Sequence, residues 1–402
     1  MVAVRDGFIA VMPLTIVGSF FVLINNVVLD SKNGMLRSFG NFDEFKAVGL
    51  SAYYATLGFM AICLAIGVAY KLAKHYEMDA LGTAFVALGA VLCLMPNSIT
   101  AGDNVIGGVF SELYTSATGL FVAIIGSILA VEFLRKLQKS DKLSIKMPDT
   151  VPPSVSKSFN LLIPAIIVLT VFAIVSFLSV KYIKMDVYEI ITKVIQSPIQ
   201  AVFQGLPGII VVLIVQNLLW CFGLHGAFIL SPITEPTLLP AIQENMVAFQ
   251  NGVDIPNIVT KPFMDAFSFA GGAGMTIGLL LAIFLVSKRE DYRSVAKFSA
   301  IPGLFNINEP LMFGLPVVLN PIFMIPLVLA PVVSLVIAYL ATASGFISKT
   351  VVMVPWTTPP VVSAYLATGG DIKAALLSIG LIILSVVIYI PFVIAANKIK
   401  ES

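Results

Sequence analysis

Residues 301–321 read IPGLFNINEPLMFGLPVVLNP, and this stretch decides how the rest of the chain is interpreted. It lies between a basic loop and a long apolar segment, yet it contains Asn306, Asn308, Glu309, two glycines and four prolines. Prolines remove backbone donors and glycines loosen the chain, so the stretch predicts broken backbone rather than an ordinary spanning helix. In lipid, such backbone persists only where protein buries it or where it lines a watery cavity. An ionisable Glu309 at that depth indicates a functional group.

The composition of the whole chain is that of a membrane protein. Of its 402 residues, 58% are hydrophobic and 11% are charged, and the mean hydropathy of +0.99 excludes an ordinary soluble domain. The formal net charge of +2 is too small to indicate nucleic-acid binding. The three cysteines lie in apolar runs, and no Cys/His spacing typical of a metal site occurs. We therefore expect no metal and no other cofactor.

Nine apolar stretches of about twenty residues predict membrane-spanning helices. Lysine and arginine are concentrated in the loops after the second, fourth and seventh of them, which predicts that these loops and the N-terminus are cytoplasmic. The alternation of sides then requires a tenth crossing within residues 229–262, which we expect to be irregular or re-entrant. With it, the C-terminus is cytoplasmic as well. The nine stretches are residues 7–29, 51–73, 80–100, 117–136, 159–180, 206–228, 264–287, 321–343 and 372–396.

Two further segments have the composition of membrane-associated structure without being simple spans. Residues 185–204 place apolar side chains on one helical face and polar ones elsewhere, which predicts an interfacial amphipathic helix interrupted at Pro198. Residues 351–370 are apolar but broken by prolines. Like residues 301–321, they resemble a hairpin that enters the membrane and returns to the same side. The predicted fold is therefore an all-α polytopic membrane protein with about ten transmembrane helices, two re-entrant hairpins and interfacial amphipathic helices.

The longest polar stretch between spans divides the chain. Residues 139–158 are rich in lysine, serine and proline, and we interpret them as a cytoplasmic linker. On its N-terminal side, residues 1–138 form a predicted five-helix transmembrane domain suited to scaffolding and self-association. On its C-terminal side, residues 159–402 hold every broken segment, which predicts that this domain binds the substrate.

His225 and Glu309 are the two residues most suited to chemistry. His225 ends an apolar span in the sequence GLHGAF, between glycines that would let a ligand approach the backbone. Glu309 has no Lys or Arg near it in sequence, so it needs a partner elsewhere. One interpretation is a purely structural pair between these two side chains. The other is a site in which the carboxylate orients a hydroxyl and takes its proton.

Five more residues are candidate substrate contacts. Asn306 and Asn308 add hydrogen-bond donors and acceptors beside Glu309, which suits a neutral, polyhydroxylated ligand. Glu235 lies in PITEPTLLP, which partly echoes the NINEP stretch, although so short an echo is weak evidence of a repeat. Trp356 and Thr357 would offer an aromatic platform and a hydroxyl to a sugar ring, while the alternative for Trp356 is an ordinary interfacial tryptophan.

Three motifs carry a resemblance to a known family: RDGFIAVMPLTIVGSFF near the start, GLHGAF around His225, and FNINEPLMFGLPVVLNP. With these motifs, the chain resembles the membrane-embedded IIC component of the lactose/cellobiose family of bacterial phosphotransferase sugar transporters. The resemblance covers essentially the whole chain. It implies ten transmembrane helices, two re-entrant hairpins, a homodimer, a bacterial cell membrane location and alternating access by a rigid-body movement.

The resemblance also implies an activity and partners. A β-linked disaccharide of the diacetylchitobiose or cellobiose type enters from outside, and a separate cytosolic IIB protein, phosphorylated on cysteine, transfers its phosphoryl group to the sugar's 6-hydroxyl. IIA, HPr and enzyme I act upstream of IIB. The roles of facing that hydroxyl transfer to Glu309 and His225. In this interpretation the chain is the permease subunit of a phosphotransferase complex, and the phosphodonor lies on IIB.

Composition and broken helices alone leave other functions open. An ion-coupled secondary transporter of a neutral polar solute would use His225 and Glu309 as relay groups, and its transport would follow an ion gradient. A membrane scaffold without transport would show no saturable sugar binding.

Overall fold

Helices make up nearly all of the regular structure, as the long apolar stretches predict. The computed structural model describes residues 2–31, 34–102, 104–143, 145, 151–315 and 317–398. Pro316 of the opening stretch and parts of the predicted linker and of both predicted cytoplasmic termini lie outside these ranges.

Eighteen α-helices are present in the described part of the chain. They are α1 (Val2–Leu23), α2 (Lys46–Ala55), α3 (Met60–His75), α4 (Ala80–Leu94), α5 (Glu112–Thr115), α6 (Leu120–Gln138), α7 (Pro153–Leu178), α8 (Val187–Ile191), α9 (Ser197–Gln204), α10 (Leu206–Cys221), α11 (Gly226–Gln250), α12 (Lys261–Ser268), α13 (Thr276–Val286), α14 (Glu290–Leu304), α15 (Glu309–Gly314), α16 (Pro321–Ala343), α17 (Pro360–Ala367) and α18 (Ile372–Ala396). Short 3₁₀ turns (Asp43–Phe45, Leu57–Phe59, Ala117–Gly119, Asp141–Leu143) and π-helical segments (Ile24–Val28, Ser179–Ile183, Thr192–Gln196) extend or join them.

Six helical runs in the described residues are long and apolar enough to cross a membrane. A seventh candidate is the pair Val187–Gln204 and Leu206–Cys221, whose axes are bent by 89°. The first member of the pair covers the predicted interfacial helix. Pro198 does not interrupt it, because the π-helical turn Thr192–Gln196 directly before the proline leads without a break into α9. The six runs are Val2–Val28, Asp43–His75, Ala117–Gln138, Val155–Ile183, Pro321–Ala343 and Ile372–Ala396.

The prediction of an irregular crossing within 229–262 is wrong for most of that range. α11 continues as one helix to Gln250 despite Pro232, Pro236 and Pro240. The three prolines recur every four residues on a buried face, and the Phe228 carbonyl that Pro232 leaves without its helical donor accepts from the Ser231 hydroxyl at 2.9 Å. Serine and threonine side chains satisfy freed carbonyls in this way, which lets membrane helices contain proline.

Two other predictions need correction. The predicted span 264–287 is broken, because α12 ends at Ser268 and α13 begins at Thr276, with Phe269–Met275 between them in irregular backbone. Glycines 271, 272 and 274 there have positive φ angles that end a helix. The fold is also not purely helical, since β1 (Ser98–Ala101) and β2 (Asn104–Gly107) form an antiparallel hairpin between α4 and α5.

The described contacts divide the chain into two compact units. The first comprises Met1–Thr15 and Tyr54–Ile199, which includes the described part of the predicted linker. Within it, α4 packs against α3, α6 and α7. Small residues allow close approach: a Cβ on Gly67 would lie 3.4 Å from the Gly7 Cα.

The second unit comprises Ile16–Tyr53 and Gln200–Ser402. Within it, α18 packs against α13 and α16, α10 packs against α16, and α12 packs against α17. The predicted break in the stretch 301–321 is confirmed: α14 ends at Leu304, the six-residue α15 begins at Glu309, and α16 begins at Pro321. Pro302, Pro310 and Pro321 lie within or at the start of helices. The left-handed Asn306 (φ 63°), rather than a proline, therefore marks the first break.

Candidate functional site

The turn between α10 and α11 determines where His225 lies. After α10 ends, Gly223 takes a φ of 76°, a left-handed conformation that favours glycine. His225 follows as the N-cap of α11. The next residue, Gly226, packs directly on the main chain of α10, because a Cβ there would overlap the Gln216 carbonyl oxygen. The two glycines of GLHG therefore fix the position of His225.

The imidazole of His225 is held on two sides. Its Nδ1 accepts a hydrogen bond from the backbone N–H of Phe228 at 3.2 Å. The Phe228 ring stacks on it with centroids 3.8 Å apart and planes 17° apart, and the Trp220 ring lies at 4.5 Å. The edge of the ring that carries Nε2 is left to face other groups.

Glu309 is the group that faces this edge. It is the first residue of α15, and its Oε1 lies 3.7 Å from Nε2 of His225. That distance is longer than a direct hydrogen bond, so both atoms can still bond to a third group. The side chains are 31% and 44% exposed, which leaves access for such a group. A hydroxyl oxygen about 2.8 Å from each atom fits beside the line that joins them.

Asn306 connects three broken segments of the second unit. Its Oδ1 accepts from the Gly271 backbone N–H at 2.9 Å, and its Nδ2 donates to the carbonyl oxygens of Trp356 at 2.6 Å and Thr358 at 3.0 Å. The side chain is buried, so these bonds satisfy backbone groups that water does not reach. Asparagine suits this position because it tolerates the left-handed backbone.

Asn308 makes a second bond to the glycine loop Phe269–Met275, which Asn306 contacts at Gly271. Its Nδ2 donates to the Ala273 carbonyl at 2.9 Å, and the loop approaches so closely that a Cβ on Gly272 would lie 2.7 Å from the Asn308 Cγ. From the far side, the Tyr389 hydroxyl donates to the Gly274 carbonyl at 2.7 Å. We call the Asn306 and Asn308 side chains, with their bonds to residues 271–273 and 356–358, the asparagine clamp. The sequence predicts both asparagines as sugar contacts. In the structure, both side-chain amides form hydrogen bonds to backbone groups.

The other predicted contacts divide into two groups. Trp356 and Thr357 are half-buried and lie in the segment that Asn306 bonds, so the structure brings this segment next to the loop before Glu309. Glu235 lies ten residues after His225 on α11, about 15 Å along the helix axis. There it interacts electrostatically with Lys261 and Asp265 rather than with Glu309.

Three features of this unit were not identified from the sequence. Lys261 bonds both carboxylate oxygens of Asp265 at 2.6 and 2.7 Å, and its only signal was a spacing of four residues on a helix. The glycine loop is visible in the sequence as GGAG at residues 271–274, but these residues fall within the predicted span 264–287. Trp220, 1% exposed and beside His225, has an indole N–H without a hydrogen-bond partner among the described residues. No sequence pattern pointed to it.

Metal ligation finds no support in the described ranges. They contain no group of three His, Cys, Asp or Glu side chains arranged to hold a metal ion. The side chains of His225 and Glu309 can each hydrogen-bond to a ligand placed between them, and the two broken segments and the clamp lie beside this pair.

Comparison with solved structures agrees with this architecture. The chain is similar to the crystal structure of the transporter ChbC, the IIC component from the N,N'-diacetylchitobiose-specific phosphotransferase system. The TM-score is 0.91 at 33% sequence identity, and the match covers 99% of this chain and 93% of that one.

Comparison with known sequences gives the same family. The chain is 37% identical to the PTS system oligo-beta-mannoside-specific EIIC component of Bacillus subtilis (strain 168), over 98% of this chain and 89% of that protein. It is 36% identical to the PTS system cellobiose-specific EIIC component of Geobacillus stearothermophilus, over 100% of this chain and 90% of that protein. The sequence model described as "Phosphotransferase system, EIIC" matches residues 5–331. The chain belongs to the EIIC family of the phosphotransferase system.

Proposed function

We propose that this protein binds a β-linked disaccharide of the diacetylchitobiose or cellobiose type outside the cell, moves it across the bacterial membrane, and presents its 6-hydroxyl to a separate phosphorylated IIB protein. The observation that carries this proposal is the 3.7 Å spacing of His225 Nε2 and Glu309 Oε1, which accommodates one hydroxyl oxygen. The specificities named for the relatives, oligo-β-mannoside, cellobiose and diacetylchitobiose, supply the ligand class.

The chemistry needs little more than positioning. The 6-hydroxyl oxygen attacks the phosphorus of the IIB phosphocysteine, the S–P bond breaks as the O–P bond forms, and the hydroxyl proton passes to the Glu309 carboxylate. The clamp contributes by holding the loop before Glu309 and the segment of Trp356 and Thr357 in one geometry. Trp356 would stack on a sugar ring and Thr357 would bond a sugar hydroxyl, while Glu235 would reach a distal part of the ligand.

The membrane arrangement that goes with this function has ten transmembrane helices, with re-entrant hairpins around 301–321 and 351–370. Both termini lie in the cytoplasm, and a homodimer forms through the N-terminal domain while the C-terminal domain carries the sugar. Support comes from the lysine- and arginine-rich loops and from the broken backbone of α14 to α16. Labelling of single cysteines introduced at the two ends of each span, in sealed vesicles, tests the count and the sidedness.

The experiment that tests the function is equilibrium binding of diacetylchitobiose, cellobiose and lactose to the purified protein by calorimetry. We expect saturable binding of one of the first two at least about tenfold tighter than lactose, a difference of about 1.4 kcal/mol. Uptake into vesicles loaded with phosphorylated IIB should yield only phosphorylated sugar. Unmodified sugar that accumulates with an ion gradient would instead identify a secondary transporter.

A further inference from the structure

We propose that the first turn of α11 fixes His225 as a neutral imidazole protonated on Nε2, so that His225 is a hydrogen-bond donor and Glu309 is the only proton acceptor of the pair. The assignment of the tautomer rests on geometry alone. Its consequence for phosphoryl transfer rests on the proposed function, which it deepens by dividing the roles of the two residues.

The argument begins at Nδ1. This nitrogen accepts the Phe228 N–H at 3.2 Å, and a ring nitrogen that accepts a hydrogen bond carries no proton. A neutral imidazole has one proton, so it resides on Nε2. The alternative tautomer would place the Nδ1–H against the Phe228 N–H, two donors facing each other, and would leave the N-terminus of α11 without its cap.

A doubly protonated ring meets the same obstacle. It also carries a proton on Nδ1, so it loses the cap, and it puts positive charge at the positive end of a 25-residue helix. Among the residues that the structure describes, Trp220 of α10, Phe228 of α11 and Glu309 of α15 face the ring, and of these three only Glu309 is charged. The Glu309 carboxylate favours that charge, but at 3.7 Å from Nε2 it does not replace the cap that a proton on Nδ1 removes.

The tautomer determines what each residue does to the hydroxyl between them. The Nε2–H donates to one lone pair of the hydroxyl oxygen, which orients it, while the hydroxyl donates its own proton to the Glu309 carboxylate. The remaining lone pair attacks phosphorus, and the proton released on attack stays on Glu309. His225 ends the step as it began. It is therefore a catalytic residue through orientation, and it is not the base.

The chain is suited to a direct measurement because it contains only two histidines, His75 and His225. His75 ends α3, far along the chain from the site, so His75→Gln leaves one histidine to observe. With ¹⁵N-histidine labelling, we expect the NMR spectrum at pH 7 to show one protonated and one unprotonated ring nitrogen, with coupling patterns of the Nε2–H tautomer. An Nδ1–H tautomer or an imidazolium would overturn the proposal. The measurement needs no sugar and no IIB, so it stands even if the proposed function fails.

A pair of variants separates the two jobs of the ring. His225→Asn keeps an acceptor where Nδ1 lies and remains a good N-cap, but it has no donor at the Nε2 position. His225→Gln reaches the Nε2 position with an N–H donor and loses the cap. If donation is the role, kcat for sugar phosphorylation falls about 10²-fold in the Asn variant with its melting temperature retained. The Gln variant should be less stable yet have at least about tenfold higher kcat than the Asn variant.

Neither amide accepts a proton, so a general-base role for His225 predicts equal losses of kcat in both variants. Equal losses in two folded variants, with KM unchanged, would overturn the division of roles. If His225→Gln does not fold, the tautomer measurement on the His75→Gln protein decides the question alone.

Discussion

One buried polar side chain from each unit, Ser127 and Asn306, illustrates how a regular helix and a broken segment differ. In the first unit, the buried hydroxyl of Ser127 bonds back to the Ile124 carbonyl of its own helix at 3.1 Å, and the helices pack through small apolar side chains. In the second unit, the buried amide of Asn306 bonds to other segments, at Gly271, Trp356 and Thr358. Regular helices satisfy their own backbone, whereas broken ones need donors and acceptors from elsewhere.

Charge follows the same division. In the first unit, Glu132 and Arg135 pair near the end of α6 at 3.4 Å, with side chains about one-third exposed. In the second unit, Lys261 and Asp265 pair at 2.6 Å with side chains 22% and 10% exposed, and Glu309 faces His225. The cost of holding charges in such places supports the proposal that the second unit carries the function, and the variants below test that proposal.

The largest effect is expected for Glu309→Gln. The amide cannot take the proton of the hydroxyl, so kcat for sugar phosphorylation should fall about 10³-fold, which corresponds to about 4 kcal/mol in the barrier. The melting temperature in detergent should stay within a few degrees, because Glu309 is half-exposed. The matched control is Glu132→Gln in the first unit, which should retain wild-type kcat. Wild-type phosphorylation by the Glu309 variant would remove this carboxylate from the mechanism.

Much of this contrast was accessible from the sequence, for a physical reason. Long apolar stretches correspond to helices with little ambiguity, and the predicted spans 321–343 and 372–396 coincide with α16 and α18. Proline, asparagine and glutamate within an apolar context signal broken backbone, which located the loop before Glu309. The motif GLHG placed His225 opposite it, and the two residues do face each other.

Other features depend on partners that a linear pattern does not contain. The three prolines of α11 read as breaks, yet a buried face and the Ser231 hydroxyl keep the helix intact. The sequence predicts Asn306 and Asn308 as ligand contacts because their chemistry suits a sugar. Only the fold shows which backbone groups their amides also satisfy. The pairing of Lys261 with Asp265 beside Glu235 likewise required knowing that α11 and α12 meet.

The next effect concerns this buried charge cluster. Lys261→Met leaves two carboxylates, Asp265 and Glu235, without their cation, and should lower the free energy of unfolding by about 3 kcal/mol. Asp265→Asn should cost about half as much, because Glu235 still balances the lysine. Unfolding in mixed detergent micelles measures both, with Lys136→Met at the end of α6 as the control. Equal losses for the two variants would exclude Glu235 from the cluster.

A smaller loss is expected for Asn306→Ala. It removes three hydrogen bonds and leaves buried backbone groups of Gly271, Trp356 and Thr358 without partners, which should cost about 2 kcal/mol of unfolding free energy. Sugar binding should weaken at least about tenfold, because the segments beside Glu309 are no longer held together.

Ser127→Ala is the matched control for the clamp, since it removes one bond within a single helix and should change stability by less than about 1 kcal/mol. Both variants are compared by unfolding and by calorimetric titration with the sugar. If Asn306→Ala lost stability but bound sugar as tightly as the wild type, the clamp would be structural only.

The smallest effect is expected for a charge pair at the N-terminus of α14, where the carboxylate is half-exposed. Arg289 contacts Asp291 through two nitrogens, at 3.1 and 2.6 Å, and this guanidinium holds the pKa of Asp291 below its ordinary value. The Asp291 side chain is 49% exposed, so solvent screens the pair, and Asp291→Asn should cost less than about 0.5 kcal/mol at pH 7.

The pH dependence of this pair follows from the lowered pKa of Asp291 in the folded protein. The pair stabilises the fold when the pH is above the pKa of Asp291 in the unfolded chain, near pH 4, and this stabilisation is lost as the pH falls through the lower pKa of the folded state. The difference in stability between the two proteins should therefore shrink below about pH 4 and in about 1 M salt. A loss as large as that of Lys261→Met would mean that burial does not separate the two pairs, and that exposed charges of the second unit matter as much as enclosed ones.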